Sequence, residues 1–140
     1  MTNYTTYEIE KLINFCLGYL RIPEVDIYVM YNDSILDRFS SKDIEIEALL
    51  YKNPIKSSYN LYVRKNLSNI KNVICHEMIH LKQYEDNRLY LDYKTGIFTW
   101  EGEEYKDIPY FERKWEKEAF SKERKLIKAY KLSAKKCPLS

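Results

Sequence analysis

His76-Glu77-Met78-Ile79-His80 sets two imidazoles four residues apart with a carboxylate beside the first. On a helix, residues four apart share a face, so both rings can reach one metal ion. This H-E-x-x-H arrangement suits zinc, with the glutamate as general base next to it rather than as a ligand. The chain has two histidines in all, and both lie in this stretch. The plainer alternative is a helix carrying two incidental histidines.

A hydrolytic zinc site takes three protein ligands and leaves one position open. With both histidines used, the third ligand must be a carboxylate or a cysteine. Cys75 precedes His76 but lies about 100° round the helix from it, which predicts a buried structural thiol. Asp86 stands where an extended motif has its third histidine, but Gln83 replaces the glycine that such a turn requires. Trp115-Glu116-Lys117-Glu118-Ala119-Phe120 offers better candidates. At helical spacing Glu116 shares a face with Ala119, Phe120, Glu123 and Ile127, which predicts an inward position beside a small residue. Glu118 falls with Lys114, Ser121, Lys122 and Lys125, a face expected to meet solvent. Glu116 is the expected third ligand and Glu118 its alternative; without a metal, Glu116 would pair with Lys82 or Arg113.

At these residues the chain resembles zincin metallopeptidases of the gluzincin kind, in which a glutamate on a later helix completes H-E-x-x-H. Glu116-Lys117-Glu118-Ala119 matches the E-x-x-A pattern of that helix. Small phage-encoded metallopeptidases with a short Trp/Tyr-Gly-Tyr hairpin and a Pro-Trp-Glu-x-Glu-Ala signature are similar. Trp100-Glu101-Gly102-Glu103-Glu104-Tyr105 and Trp115 to Ala119 stand in those places, with Lys114 where that signature has proline. The resemblance covers residues 58–120 and extends more distantly to zinc peptidases that cleave repressors. It implies one Zn2+ per chain held by His76, His80 and Glu116, with Glu77 activating a water against a peptide bond. Tyr110, just before the second motif, is a candidate donor to the oxyanion.

The elements that must position these groups are readable in outline. A helix is expected over residues 6–20, capped by Thr5 or Thr6, with Ile9, Leu12, Ile13, Cys16, Leu17 and Leu20 as its apolar face. Residues 25–31 and 48–52 read as strands. Asn32-Asp33-Ser34 breaks the pattern, and residues 35–47 mix helical and strand spacing. Residues 58–65 alternate, with Tyr59, Leu61 and Val63 on one side, which predicts a half-exposed strand. That strand could pair with an extended substrate or be purely structural. Ser68 is the expected cap of a motif helix running to Tyr84. Residues 88–93, 97–100 and 103–105, punctuated by Gly96 and Gly102, predict a small β-meander. A long last helix is expected over residues 110–133, followed by a frayed tail. The fold class is therefore α+β: one small zincin-like domain with a mostly antiparallel sheet between helices.

Composition bounds the rest. At 140 residues, 45% hydrophobic and 31% charged, the chain can bury one core and is not of disordered type. A net charge of +2 does not by itself suggest nucleic acid, although residues 111–140 carry ten Lys or Arg against four Glu. Solvated surface is the default for such a helix. No apolar run reaches membrane-spanning length, and residues 1–10 lack the pattern of a signal peptide. Three widely spaced cysteines, Cys16, Cys75 and Cys137, suit a reduced, cytoplasmic setting, that of the host cell for a phage-encoded chain. The expected partner is a protein or peptide substrate. The competing expectation is a non-catalytic, zinc-stabilised phage accessory module, against which Glu77 argues because a structural site has no use for a base.

Overall fold

Helix α3 (Ile70–Glu85) carries the histidines, and ten of its sixteen residues are buried. A surface helix hides one stripe; this one is covered on several sides. Helices α1 (Thr6–Tyr19) and α4 (Lys114–Lys136) and strand β2 (Ala48–Lys52) all pack on it. The computed structural model describes residues 6–41, 45–54 and 57–136. Thr5 as a cap, and Cys137 with the rest of the tail, lie outside the described residues. Within them the fold is α+β, with four α-helices and two three-stranded sheets.

The first sheet has the order β1 (Asp26–Tyr31), β3 (Ser58–Val63), β2. Strand β1 runs parallel to β3 and β2 antiparallel to it. Tyr59, Leu61 and Val63 are fully buried, as the alternation predicts. The other side of β3 is only partly exposed. Asn60 lies between Tyr28 and Tyr51, and Tyr62 between Met30 and Leu49, so cross-strand neighbours shield both residues. Being central, β3 has no free edge with which to bind a substrate strand. The edge nearest α3 belongs to β2.

The ambiguous stretch contains a short helix, α2 (Asp33–Phe39). Asn32 Oδ1 accepts from the Ile35 N–H at 3.1 Å, so the polar triplet is an N-cap rather than a plain break. Seven residues are too few to establish a helical period. The motif helix starts at Asn69 rather than Ser68, with no side-chain cap.

Strands β4 (Leu89–Asp92), β5 (Ile97–Trp100) and β6 (Glu103–Tyr105) form the expected meander. Glu101 and Gly102, both at positive φ (49° and 86°), make the tight link that suits the twist of a hairpin. The meander carries Phe98 and Trp100 onto the Trp115 ring, with centroids 4.7 and 6.1 Å away. The last helix begins later than the sequence suggests. A single 3-10 turn (Tyr110–Glu112) precedes an extended Arg113, and α4 then runs through residue 133 to Lys136. Among the described residues, no helix is long and apolar enough to cross a membrane.

Leu61 is fully buried on the central strand, so Leu61→Ala should cost about 2–5 kcal/mol. Urea unfolding checks this; a loss under about 1 kcal/mol would mean the sheet does not form the core described.

Candidate metal centre

The His76 and His80 rings project from successive turns of α3, with centroids 4.8 Å apart. Glu116, in the first turn of α4, meets both. Its Oε1 lies 2.9 Å from His76 Nε2 and 3.0 Å from His80 Nε2. These are the three groups that could hold an ion among the described residues. Ala119, fully buried one turn later, lets the helices approach closely.

The other ring nitrogens are anchored as well. His76 Nδ1 donates to Glu123 Oε1 at 2.9 Å. His80 Nδ1 donates to Gln83 Oε1 at 2.8 Å. The Gln83 amide nitrogen donates to the Trp115 carbonyl and to Glu118 Oε1, both at 3.1 Å. The amide oxygen therefore faces His80, and the Nδ1 proton is fixed there. Glu118 is clamped by Arg88, at 2.9 and 2.7 Å, and Arg88 also pairs with Glu101 of the meander.

This bonding pattern has a chemical consequence. With both Nδ1 atoms donating, each Nε2 turns a lone pair toward a carboxylate oxygen unless a cation lies between. Two protons can supply it, making both rings imidazolium. One divalent metal ion can replace those two protons without changing the charge. Tetrahedral zinc with bonds of about 2.0–2.1 Å needs ligand atoms about 3.3 Å apart, so the observed spacing requires little spreading. Two imidazoles held by outer hydrogen bonds and one carboxylate form a donor set that fits zinc.

The charges reflect the crowding. Burial works against protonation of His76, but hydrogen bonds to Glu116 and Glu123 outweigh it and raise its pKa to about 10. His80 is raised by Glu116 against the same desolvation. Burial tends to raise Glu116, yet the two imidazoles hold it well below the usual carboxylate range. Glu77 is 7% exposed; burial raises its carboxyl, and the charges of His80 and His76 oppose that rise.

Glu77 and the three convergent groups line one cavity of about 480 Å³. Strand β2 borders it through Ala48, Leu49 and Leu50, and Leu89, Leu91 and Phe98 of the meander form an apolar part of its wall. The Tyr110 hydroxyl donates to Glu116 Oε1 at 3.3 Å. Phe120 is not turned inward as helical phase suggests. It is 52% exposed, with its ring 4.5 Å from that of His76 at the rim.

Other expectations change. Asp86 caps α3, its N–H bonding the Lys82 carbonyl, and its carboxylate pairs with Lys82. Neither Lys82 nor Arg113 pairs with Glu116. Glu118 does not face solvent: its side chain is 19% exposed within the Arg88–Gln83 network. Cys75 is buried with Cys16, whose thiol is kept protonated by its contact with Cys75 and by burial. Glu123, Gln83 and Arg88 were not recognisable as supporting residues. Glu123 had a signal, two turns beyond Glu116 on the same face.

Metal uptake at neutral pH should release about two protons, because the two Nε2 protons must leave. Calorimetry in buffers of different ionisation enthalpy reads this directly; uptake without proton release would remove the imidazolium pair. Glu116→Ala should abolish tight binding, whereas Glu118→Ala, acting through Gln83, should weaken it about 10–100-fold. The reverse order would make Glu118 the ligand.

Without metal, stability should follow the same groups. His76, raised to about 10 from 6.5, stabilises fully below about pH 6.5 and loses its contribution as pH rises through 10. Glu116, lowered from 4.5, contributes above about pH 4.5 and loses its contribution on acidification. The metal-free chain should therefore be most stable between about pH 4.5 and 6.5 and weaken toward alkaline pH. A urea midpoint that climbs above pH 7 would contradict the assignment.

In comparisons with known proteins, no family model, curated protein or solved structure matches this chain. Its site is therefore read from its own geometry.

Proposed function

We propose that this chain is a zinc-dependent peptidase of the gluzincin kind, with His76, His80 and Glu116 as ligands and Glu77 as general base. The observation that carries this reading is the meeting of both Nε2 atoms and Glu116 Oε1 in the wall of a cavity that Glu77 also lines. A purely structural metal would have no need of that cavity or of a carboxylate beside it that is not a ligand.

Zinc held by such a set would lower the pKa of a water to about 7 and polarise a carbonyl. Glu77 would accept a proton from the attacking water and pass it to the leaving amine. Its burial suits the accepting role, because a carboxylate whose pKa is shifted upward is a stronger base than an exposed one. The Tyr110 phenol is raised by burial and by the Glu116 charge and so stays protonated. It can turn from Glu116 to donate to the oxyanion.

Strand β2 would align the substrate. Its backbone alternates: Glu47 and Asn53 bond toward β3, through the Arg64 N–H and the Ser58 carbonyl. Ala48, Leu50 and Lys52 therefore present their N–H and C=O groups to the open edge, where the Lys52 N–H meets the Tyr93 hydroxyl at 3.4 Å. Ala48 and Leu50 lie along the cavity, so an extended peptide could add to β2 across the metal centre.

The test is a peptide-library digest by the zinc-loaded chain and by Glu77→Gln. The variant should keep one zinc and lose at least about 100-fold in cleavage, the range of a positioned base. Equal cleavage by both would remove Glu77 from the chemistry. Zinc retention with no cleavage by either would leave the metal a structural role.

A further inference from the structure

The same cavity contains a second recognition element. Among the described residues Arg113 is its one lysine or arginine, in a lining that includes Glu45, Glu47, Glu77, Glu116 and Glu123. The guanidinium lies against two rings, with its Cζ 4.7 Å from the Phe98 centroid and 5.5 Å from that of Tyr110. Its Nε donates to the Ile108 carbonyl at 3.3 Å. Backbone and rings thus fix the plane of the group, while Nη1 and Nη2 make no hydrogen bond or ion pair among the described residues. The other two arginines that are not exposed are both paired: Arg64 with Asp37 and Glu45, and Arg88 with Glu101 and Glu118.

A half-buried, immobilised guanidinium with two free donors facing a cavity favours a planar anion that can accept from both. Away from the metal centre, the acidic lining leaves Arg113 as the described lining residue that attracts a negative group. The Tyr110 ring bridges the two features, with Arg113 against its face and Glu116 at its hydroxyl. They are therefore within about four residues of extended peptide. We propose that Arg113 is a specificity-determining residue that binds a carboxylate of the substrate, either a free C-terminus or an acidic side chain close to the bond at the metal centre. The peptide nature of that ligand rests on the peptidase reading above; carboxylate binding by Arg113 does not.

The test is calorimetric titration of the zinc-loaded full chain carrying Glu77→Gln, so that the probe stays intact. Three N-acetylated pentapeptides serve as probes: one with a free C-terminus, its amide, and the amide with one internal glutamate. At least one carboxylate peptide should bind about 10–100-fold tighter than the neutral amide, and which one does so identifies the source. The preference should vanish in Arg113→Gln and survive in part in Arg113→Lys, which keeps the charge without the fork. Zinc content confirms that both variants keep the site. Equal binding of all three probes, or a preference that persists in Arg113→Gln because the metal alone holds the carboxylate, overturns the proposal. Because binding is read without turnover, a carboxylate preference in a chain that cleaves nothing would sink the peptidase reading alone. Cleavage by the unsubstituted chain without such a preference would sink this proposal alone.

Discussion

The contact between Glu116 and the two Nε2 atoms is the constraint on which the rest of the molecule depends. It joins α3 to α4 in the wall of the cavity, and it gathers charges that are tolerable only with a cation or two protons among them. The surroundings follow from that need. Ala119 gives the helices room to approach, Trp115 anchors the start of α4 on the meander, and Glu123 and Gln83 hold the rings by their far nitrogens.

The supporting network extends well beyond the three convergent groups. Arg88, at the foot of the meander, holds Glu118; Glu118 and the Trp115 carbonyl hold Gln83; Gln83 holds His80. The small second sheet is thus tied to the orientation of an imidazole on the central helix. A network of this kind is costly when one member is missing, because the remaining groups are buried and directional. It also explains why a short meander of limited apolar content is fixed in place: its strands deliver Phe98 and Trp100 to Trp115, and the residue just before them delivers Arg88.

Helix positions were legible where apolar spacing was long and regular, as in α1 and α3, and the meander was legible from its glycines. The seven residues of α2 were not, because a cap and less than two turns leave no period to read. Alternation gave the two faces of residues 58–63 correctly but could not tell a central strand from an edge. Pairing partners come from distant chain segments, and β1 and β2 shield Asn60 and Tyr62 from both sides. Helical phase found Glu116 but misjudged Glu118, because a face is solvent only if nothing packs on it and the meander packs beside Glu118. It also misjudged Phe120, which stands at the rim of the cavity against the His76 ring.

The sequence by itself determined that two imidazoles share a helix face, that Glu77 stands beside them, and that Glu116 rather than Glu118 points the same way as Ala119 and Glu123. These are local facts, set by 3.6 residues per turn. Only the tertiary structure decided that Glu116 reaches both rings, that Glu118 instead supports Gln83, that β2 rather than β3 presents the open edge, and that Arg113 lines the cavity with no ion pair among the described residues. Those outcomes depend on how α4 and the meander dock on α3, and no spacing along the chain encodes a distance between segments forty residues apart.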